Sequence, residues 1–280
     1  MNAPRVLILG ASGRLGGMLR RNWGETHGLP VWQFRAAPAQ PVRSGSISIF
    51  DPLSGPPDCG PVDVVLGLAG VVPGKGALSL NTDLAIAAVD CAKALGARHV
   101  FVSSSAAVYG PSATPLREDG PAHPVSAYGA AKLAMETAAL ALAARHGLSA
   151  TALRIGNVAG ADALLGQIGE RRCLDQFADG QGPIRSYIGP SGFSAVVQAL
   201  VQLACKAQVL PGVLNLALSR GVAMADLCHA ANLPVDWQPA PETALPSVVL
   251  DVTRLAALVP LPTADAAAIV ADWQFDRRRA

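Results

Sequence analysis

Four apolar runs of strand length punctuate the first 155 residues: RVLIL at 5–9, VDVVLGLA at 62–69, HVFVSS at 99–104 and SATALRI at 149–155. Each is mostly apolar without strict polar alternation, the pattern of strands buried on both faces. Between them, alanine- and leucine-rich stretches predict helices at 15–23, 81–95 and 126–145. Two of these stop just before a glycine, Gly24 and Gly96, where a helix C-cap is expected. Alternating strand and helix predict an α/β fold, a doubly wound parallel sheet with crossover helices on both faces. After Ile155 the pattern loosens into Gly- and Pro-punctuated pieces, with an apolar helix expected at 194–207 and a short strand, VLNLAL, at 213–218. The stretch 36–61, rich in Pro, Gly and Ser around SISIFD, reads as a surface connection that holds a possible strand.

Composition narrows the function classes. At 280 residues the chain can bury a sizeable core. Its hydrophobic content is 51% and its charged content 15%, the latter below the roughly 25% of ordinary soluble domains. Much of it is therefore interior or packed interface. A net charge of +2 gives no basic field for nucleic acid or a membrane surface, so the expected partner is a small molecule. Five scattered cysteines, Cys59, Cys91, Cys173, Cys205 and Cys228, show neither metal-ligand spacing nor a disulfide framework and fit a reducing cytoplasm. The apolar run that begins the chain is too short for a signal segment or a membrane span. Trp23, Trp32, Trp237 and Trp273 read as packing residues, His99 as a partly exposed strand-start residue and His123 as a loop residue.

LILGASGRLGGML carries the first chemical signal. A buried strand passes through Gly10, Gly13 and Gly16 straight into a helix, an arrangement that lets backbone approach a pyrophosphate at a helix N-terminus. The spacing is GxxGxxG rather than GxGxxG. No carboxylate follows at the end of the second strand, where NAD enzymes usually place one for the ribose hydroxyls; the position offers Arg35. A guanidinium there suits a 2′-phosphate, so NADP(H) is the expected cofactor and NAD the alternative, with Arg35 then a surface residue. Asp51, after SISIF, reads either as a partner of the adenine amine or as a turn former. The expected organisation is a dinucleotide-binding Rossmann domain over 1–155, completed by the helix near 194–207, and a substrate-binding region over 156–280.

HPVSAYGAAKLAMET supplies the second signal: Tyr128 and Lys132 stand four apart on a predicted helix, hence on one face. An ammonium beside a phenol favours the phenolate and draws its pKa down from about 10, as a general acid or base requires. HVFVSSSAAVYG ends in Ser103, Ser104 and Ser105 at the carboxyl edge of the sheet, where ligands of such sheets bind. A serine hydroxyl there can polarise a substrate oxygen, a task placed on Ser105, while Ser103 reads as a turn former.

The segments GASGRLGG, NTDLAIAAVDCAKALGARHVFVSSSAAVYG, YGAAK, LRIGNVAG and DGQGPIRSYI are spread over residues 10–188. In this order they resemble the extended short-chain dehydrogenases/reductases of the NAD-dependent epimerase/dehydratase group. The resemblance implies that Ser105, Tyr128 and Lys132 are the catalytic triad, with Lys132 also holding the nicotinamide ribose. It places Gly10, Ser12, Gly13, Arg14, Leu15, Gly16 and Ala69 at the cofactor. Asn81 resembles the group's asparagine that orders this region, although a helix N-cap describes it equally well. Ser104, Asn157 and Arg185 fall on the substrate side, the last two at positions that meet the diphosphate in sugar-nucleotide enzymes. The expected activity is hydride transfer between a substrate carbon and a nicotinamide, on a nucleotide-sugar first and on a small carbonyl compound reduced by NADPH second. The other class kept open is a non-catalytic dinucleotide-binding sensor. A homodimer through helices 81–95 and 126–145 is also implied. The chain departs from the group at RSYIGPSGFS, which lacks the histidine and both aspartates that often follow the arginine, and at PGKGALSL, a short segment that carries Lys75 on a glycine-flanked tip.

Overall fold

The structure, a computed structural model, describes residues 3–24, 28–167, 169 and 171–280. Seven strands build one sheet: β1 (Arg5–Leu9), β2 (Leu29–Phe34), β3 (Ser46–Ile49), β4 (Val64–Gly67), β5 (His99–Ser105), β6 (Ser149–Ile155) and, after four short strands, β11 (Val213–Leu216). The short strands are β7 (Asn157–Val158), β8 (Arg172–Gln176), β9 (Ile184–Arg185) and β10 (Tyr187–Ile188); β12 (Val222–Ala223), β13 (Val235–Pro239) and β14 (Ser247–Val248) follow. The order across the sheet is β11-β6-β5-β4-β1-β2-β3, with every pairing parallel. Strand order reverses between β1 and β4, which opens a crevice at their carboxyl ends.

Period-two alternation along these strands feeds two cores. Val6 and Ile8 face one side with Leu66, Phe101 and Leu153, packed beneath α1 (Arg14–Asn22) and α4 (Pro190–Cys205). Leu7 and Leu9 face the other with Val65, Val100 and Val102, beneath α2 (Leu80–Ala94) and α3 (Ala127–Arg145). Burial on both faces is why these strands lack polar alternation. β3 differs: it is the free edge, Ile47 and Ile49 are exposed, and its Ser-Ile alternation among turn residues made a sheet strand look like part of a surface connection.

The second half of the chain is not separate from the sheet. β11 pairs with β6 as the seventh strand and α4 packs on α1. α4 begins at Pro190, ahead of the expected 194, because Asp272 of α7 (Ala266–Arg277) accepts from the Ser191 and Gly192 amides at its start. On the same helix, Asp276 takes Arg21 at 2.6 Å and Asn22 at 2.7 Å. α7 thus latches both helices of that face. A side chain at Gly189 would run into Asp272, its Cβ 2.8 Å from the carboxyl carbon. That contact accounts for the glycine in RSYIGPSGFS. The remaining helices, α5 (Met224–Ala230) and α6 (Thr253–Ala256), lie in this half.

Three local expectations are corrected. Gly96 follows α2 with φ +71, as a C-terminal glycine should, but Gly24 has no left-handed turn: α1 ends where Trp23 turns extended and its indole donates to Gly28 O. Trp237 is 44% exposed over Gly182 rather than packed inside. His99 is buried, its Nε2 3.1 Å from Thr151 Oγ1 and its ring against Phe101.

Burial pushes the His99 pKa down to about 4. The unfolded chain protonates this ring near pH 6.5 and the folded one only near 4, so its contribution is intact above 6.5 and is lost as the pH falls towards 4, by about 3 kcal/mol in all. Urea unfolding at pH 7 and pH 4.5 should show His99→Gln losing less stability on acidification than the parent; equal losses would contradict this.

Candidate active site

The crevice begins at the turn after β1. Gly10 has φ +86, and a Cβ on it would lie 2.6 Å from Ala69 N, so the turn folds against the residues that follow β4. Gly16 faces this turn from α1, where a Cβ would come within 2.7 Å of Ala11 Cα. Gln33, a buried amide in β2, accepts from Gly10 N at 2.9 Å and donates to Phe50 O at 2.7 Å, which fixes the turn to β2 and the end of β3. α1 starts at Gly13 with no side-chain cap and no acidic residue in its first turn. Its free amides and positive dipole end therefore open onto the crevice.

One cavity of about 870 Å³ collects most of the expected residues: Gly13, Arg14, Leu15, Gly16, Arg35, Ser104, Ser105, Tyr128, Lys132 and Asn157. Lys75 lines it too. Gly10, Ser12, Asp51, Ala69 and Asn81 are not in its wall. Asp51 accepts from Leu53 N at 3.0 Å and caps the single turn Pro52–Ser54, the turn-forming alternative. Asn81 lies in the first turn of α2 rather than at its cap; its amide accepts from Val71 N and donates to Val71 O and Leu78 O. It shapes the loop after β4 beside the Lys132 ammonium.

The triad is assembled by two elements. At the end of β5, Ser105 Oγ accepts from Ala107 N at 3.2 Å, leaving its proton for another oxygen. α3 starts under the cap of Ser126, whose Oγ accepts from Gly129 N at 3.1 Å. Gly129 lies so close to the Ala107 carbonyl that any Cβ would collide with it. This approach presses the first turn of α3, and Tyr128 with it, onto the turn that follows Ser105.

The electrostatics differ from the expectation. Lys132 Nζ donates to Ser103 O at 2.8 Å and stands 5.9 Å from the Tyr128 ring centre. Its pKa is lowered to about 8 by burial, with Glu136 opposing. Tyr128 is raised by burial, and the forces that pull it back are the Ser105 hydroxyl and the charge of Arg14, not Lys132. Ser104 is corrected as well: its hydroxyl donates to Glu136 rather than into the cavity.

Arg185 lines an adjoining cavity of about 270 Å³, which shares Ser105 and Asn157 with the larger one. Its guanidinium donates to the Ile184, Leu245 and Pro246 carbonyls, and burial lowers its pKa. Sequence reasoning missed Gln33, Glu136 and Arg154. A signal existed in each case: an amide or a guanidinium inside an apolar strand requires a partner, and Glu136 repeats the Lys132 face one turn on.

Known proteins resemble this chain in sequence and in fold. A UDP-glucose 4-epimerase from Corynebacterium glutamicum is 45% identical over 93 residues, 33% of this chain and 27% of its own length. One from Azospirillum brasilense is 34% identical over 177 residues, 57% of this chain and 51% of its own. The chain thus spans about half or less of the curated relatives it matches. Among solved structures, UDP-glucose 4-epimerase from Stenotrophomonas maltophila, with bound NAD and formylated UDP-arabinopyranose, superposes with a TM-score of 0.80 at 17% identity, covering 98% of both chains. The Brucella ovis UDP-glucose 4-epimerase in complex with NAD gives 0.78 at 21% identity, over 96% of this chain and 97% of the other. These structures share the fold. The sequence model of the NAD dependent epimerase/dehydratase family matches residues 6–179, and the chain belongs to that family.

Proposed function

We propose that the chain is an NAD-dependent epimerase or dehydratase that acts at a secondary alcohol carbon of a nucleotide-sugar. The observation that carries this reading is the meeting of Ser105, Tyr128 and Lys132 in the wall of one cavity onto which the uncapped start of α1 opens. A dinucleotide fits these residues. The α1 amides and Arg14 would hold its pyrophosphate, Arg35 would lie at the adenosine ribose, and Lys132 would hold the nicotinamide ribose. Bound NAD supplies a two-electron acceptor and donor. Ser105, whose hydroxyl is bonded to Tyr128, would turn its proton to the substrate oxygen, and Tyr128 would take the hydroxyl proton on oxidation and return it on reduction. Arg14, together with the Ser105 hydroxyl, offsets the cost of a phenolate in a buried site.

NAD, rather than the NADP(H) expected from Arg35, is favoured by the family description and by the NAD-bound structures of the same fold. Fluorescence titration of the protein should show NADH binding at least about tenfold more tightly than NADPH. The reverse order would make Arg35 a phosphate reader and favour a reductase. A second reading, reduction of a small carbonyl compound, is supported by Arg185, whose guanidinium is already engaged by three carbonyls beside the smaller cavity.

The partner reading is a homodimer. Ala130, Ala134, Ala141 and Ala144 are exposed along one side of α3, small side chains that let helices approach closely. Sedimentation should show a dimer that Ala134→Arg dissociates; a monomeric parent would remove this element. Among the described residues no helix is long and apolar enough to cross a membrane, and the reading places the protein in the cytoplasm.

A further inference from the structure

Behind the cavity lies a buried charged unit that the mechanism above leaves unused. Ser104 of β5 and Arg154 of β6 are register partners, so their side chains leave the sheet on the same face. Glu136 of α3 stands over both. Its Oε1 accepts from Ser104 Oγ and, at 3.0 Å, from Arg154 Nε; its Oε2 accepts from Arg154 Nη2 at 2.8 Å. All three residues are no more than 5% exposed. Arg154 also lies over the Tyr109 ring, 4.8 Å from its centre, and its Nη1 has no hydrogen-bond partner among the described residues. Glu136 is thus the one carboxylate bonded to this guanidinium among the described residues.

The same helix face carries Lys132 one turn earlier. Lys132 holds the Ser103 carbonyl and Glu136 holds the Ser104 hydroxyl. Two successive residues of β5 are therefore fastened to two successive turns of α3, and the next residue of β5 is Ser105. The groups facing Lys132 come from every element around it: Tyr128 and Glu136 from its own helix, Ser103 and Ser104 from β5, Arg154 from β6 behind Glu136, and Asn81 from α2. Arg14, at the start of α1, acts on Tyr128. Of these, Glu136 is the only carboxylate.

We propose that Glu136 is a positioning residue for Lys132: clamped by Arg154 and Ser104, its carboxylate sustains the buried ammonium and fixes α3 against the end of β5. Removing the carboxylate while leaving Arg154 exchanges a neutral pair for a bare cation near a second cation. Lys132 then gives up its proton more readily. Removing both members takes away the second cation together with the carboxylate, so Lys132 no longer faces a bare guanidinium. A clamp that only held the fold together would lower stability and leave the titration of Lys132 where it was.

The chain has four lysines, Lys75, Lys93, Lys132 and Lys206, so side-chain ¹³C labelling of lysine gives a spectrum simple enough to titrate. The Lys132 signal is the one that Lys132→Arg removes. Burial places its midpoint near 8 in the parent. The expected result is a midpoint at least about one pH unit lower in Glu136→Gln, and a return towards the parent value in the double variant Glu136→Gln with Arg154→Met. An unmoved midpoint in Glu136→Gln, or a double variant as low as the single one, overturns the proposal. Should Glu136→Gln fail to fold, Arg154→Met tests the same coupling with the opposite sign: a raised midpoint supports it and an unchanged one overturns it. That the charge of Lys132 matters for turnover rests on the proposed function, but the titration needs neither cofactor nor substrate. Absence of NAD binding would defeat the functional reading alone.

Discussion

Tyr128→Phe lowers turnover by about 10² to 10⁴-fold and leaves cofactor binding close to that of the parent. The phenol lines the cavity beside Ser105, whose own acceptor side is taken by Ala107 N, and on the proposed reading it exchanges the proton of the substrate oxygen. Removing the hydroxyl leaves the ring in its place on the first turn of α3, so the loss falls on kcat rather than on folding. Paired titration with NADH and a turnover assay check this. Full activity in Tyr128→Phe would exclude the proton-transfer role, and joint loss of binding and fold would show the residue to be structural.

The second large effect is expected at Gly16. An alanine Cβ there would meet backbone on both sides of the turn, at 2.7 Å from Ala11 Cα and closer to Gly10 O. Neither partner can rotate away, so α1 must shift from the turn. A displacement of about 1 Å at such a site is enough for roughly a 10²-fold effect. Gly16→Ala should lose NAD affinity by that order. Gly17→Ala is the control, because a Cβ there meets side-chain ends rather than backbone, Arg21 at 3.3 Å and Arg20 at 4.0 Å. Calorimetric titration of both variants separates the cases: equal affinities would mean that the Gly16 contact does not shape the cofactor site.

The central strands were legible because burial on both faces makes them mostly apolar, with few polar residues to blur the pattern. β1 and β6 run over the residues their apolar patterns mark, 5–9 and 149–155. Elements at the sheet margins were harder to place. β3 is exposed along its Ile side and sits among turn residues, and β11 joins the sheet from beyond the segment that reads as the dinucleotide domain. Such a long-range pairing leaves no local signal. The latch by α7 has the same character: nothing near Asp272 indicates that it caps a helix eighty residues earlier.

At the site, the meeting of Ser105, Tyr128 and Lys132 in one cavity was legible because helical spacing and the carboxyl edge of the sheet fix where each lies. What escaped were the supports. Ser104 looked like a substrate contact from its place beside Ser105, but its side chain points to the opposite need, a donor for Glu136. The lowering of the Tyr128 pKa was assigned to Lys132 from helical spacing alone. In the fold, the ammonium is drawn to Ser103 O, and burial of the phenol outweighs the charges that favour its ionisation. Spacing places two residues on one face; burial and third partners decide their protonation.

The central claim is that this site moves a hydride between NAD and a nucleotide-sugar. It is tested most directly by mixing NAD-saturated protein with UDP-glucose or UDP-galactose and following absorbance at the wavelength of the reduced cofactor, with proton NMR of the sugar. The account predicts formation of reduced cofactor in the parent protein, altered sugar resonances, and neither change in Tyr128→Phe. NAD bound tightly with no cofactor reduction and no sugar conversion on either substrate would contradict the nucleotide-sugar assignment.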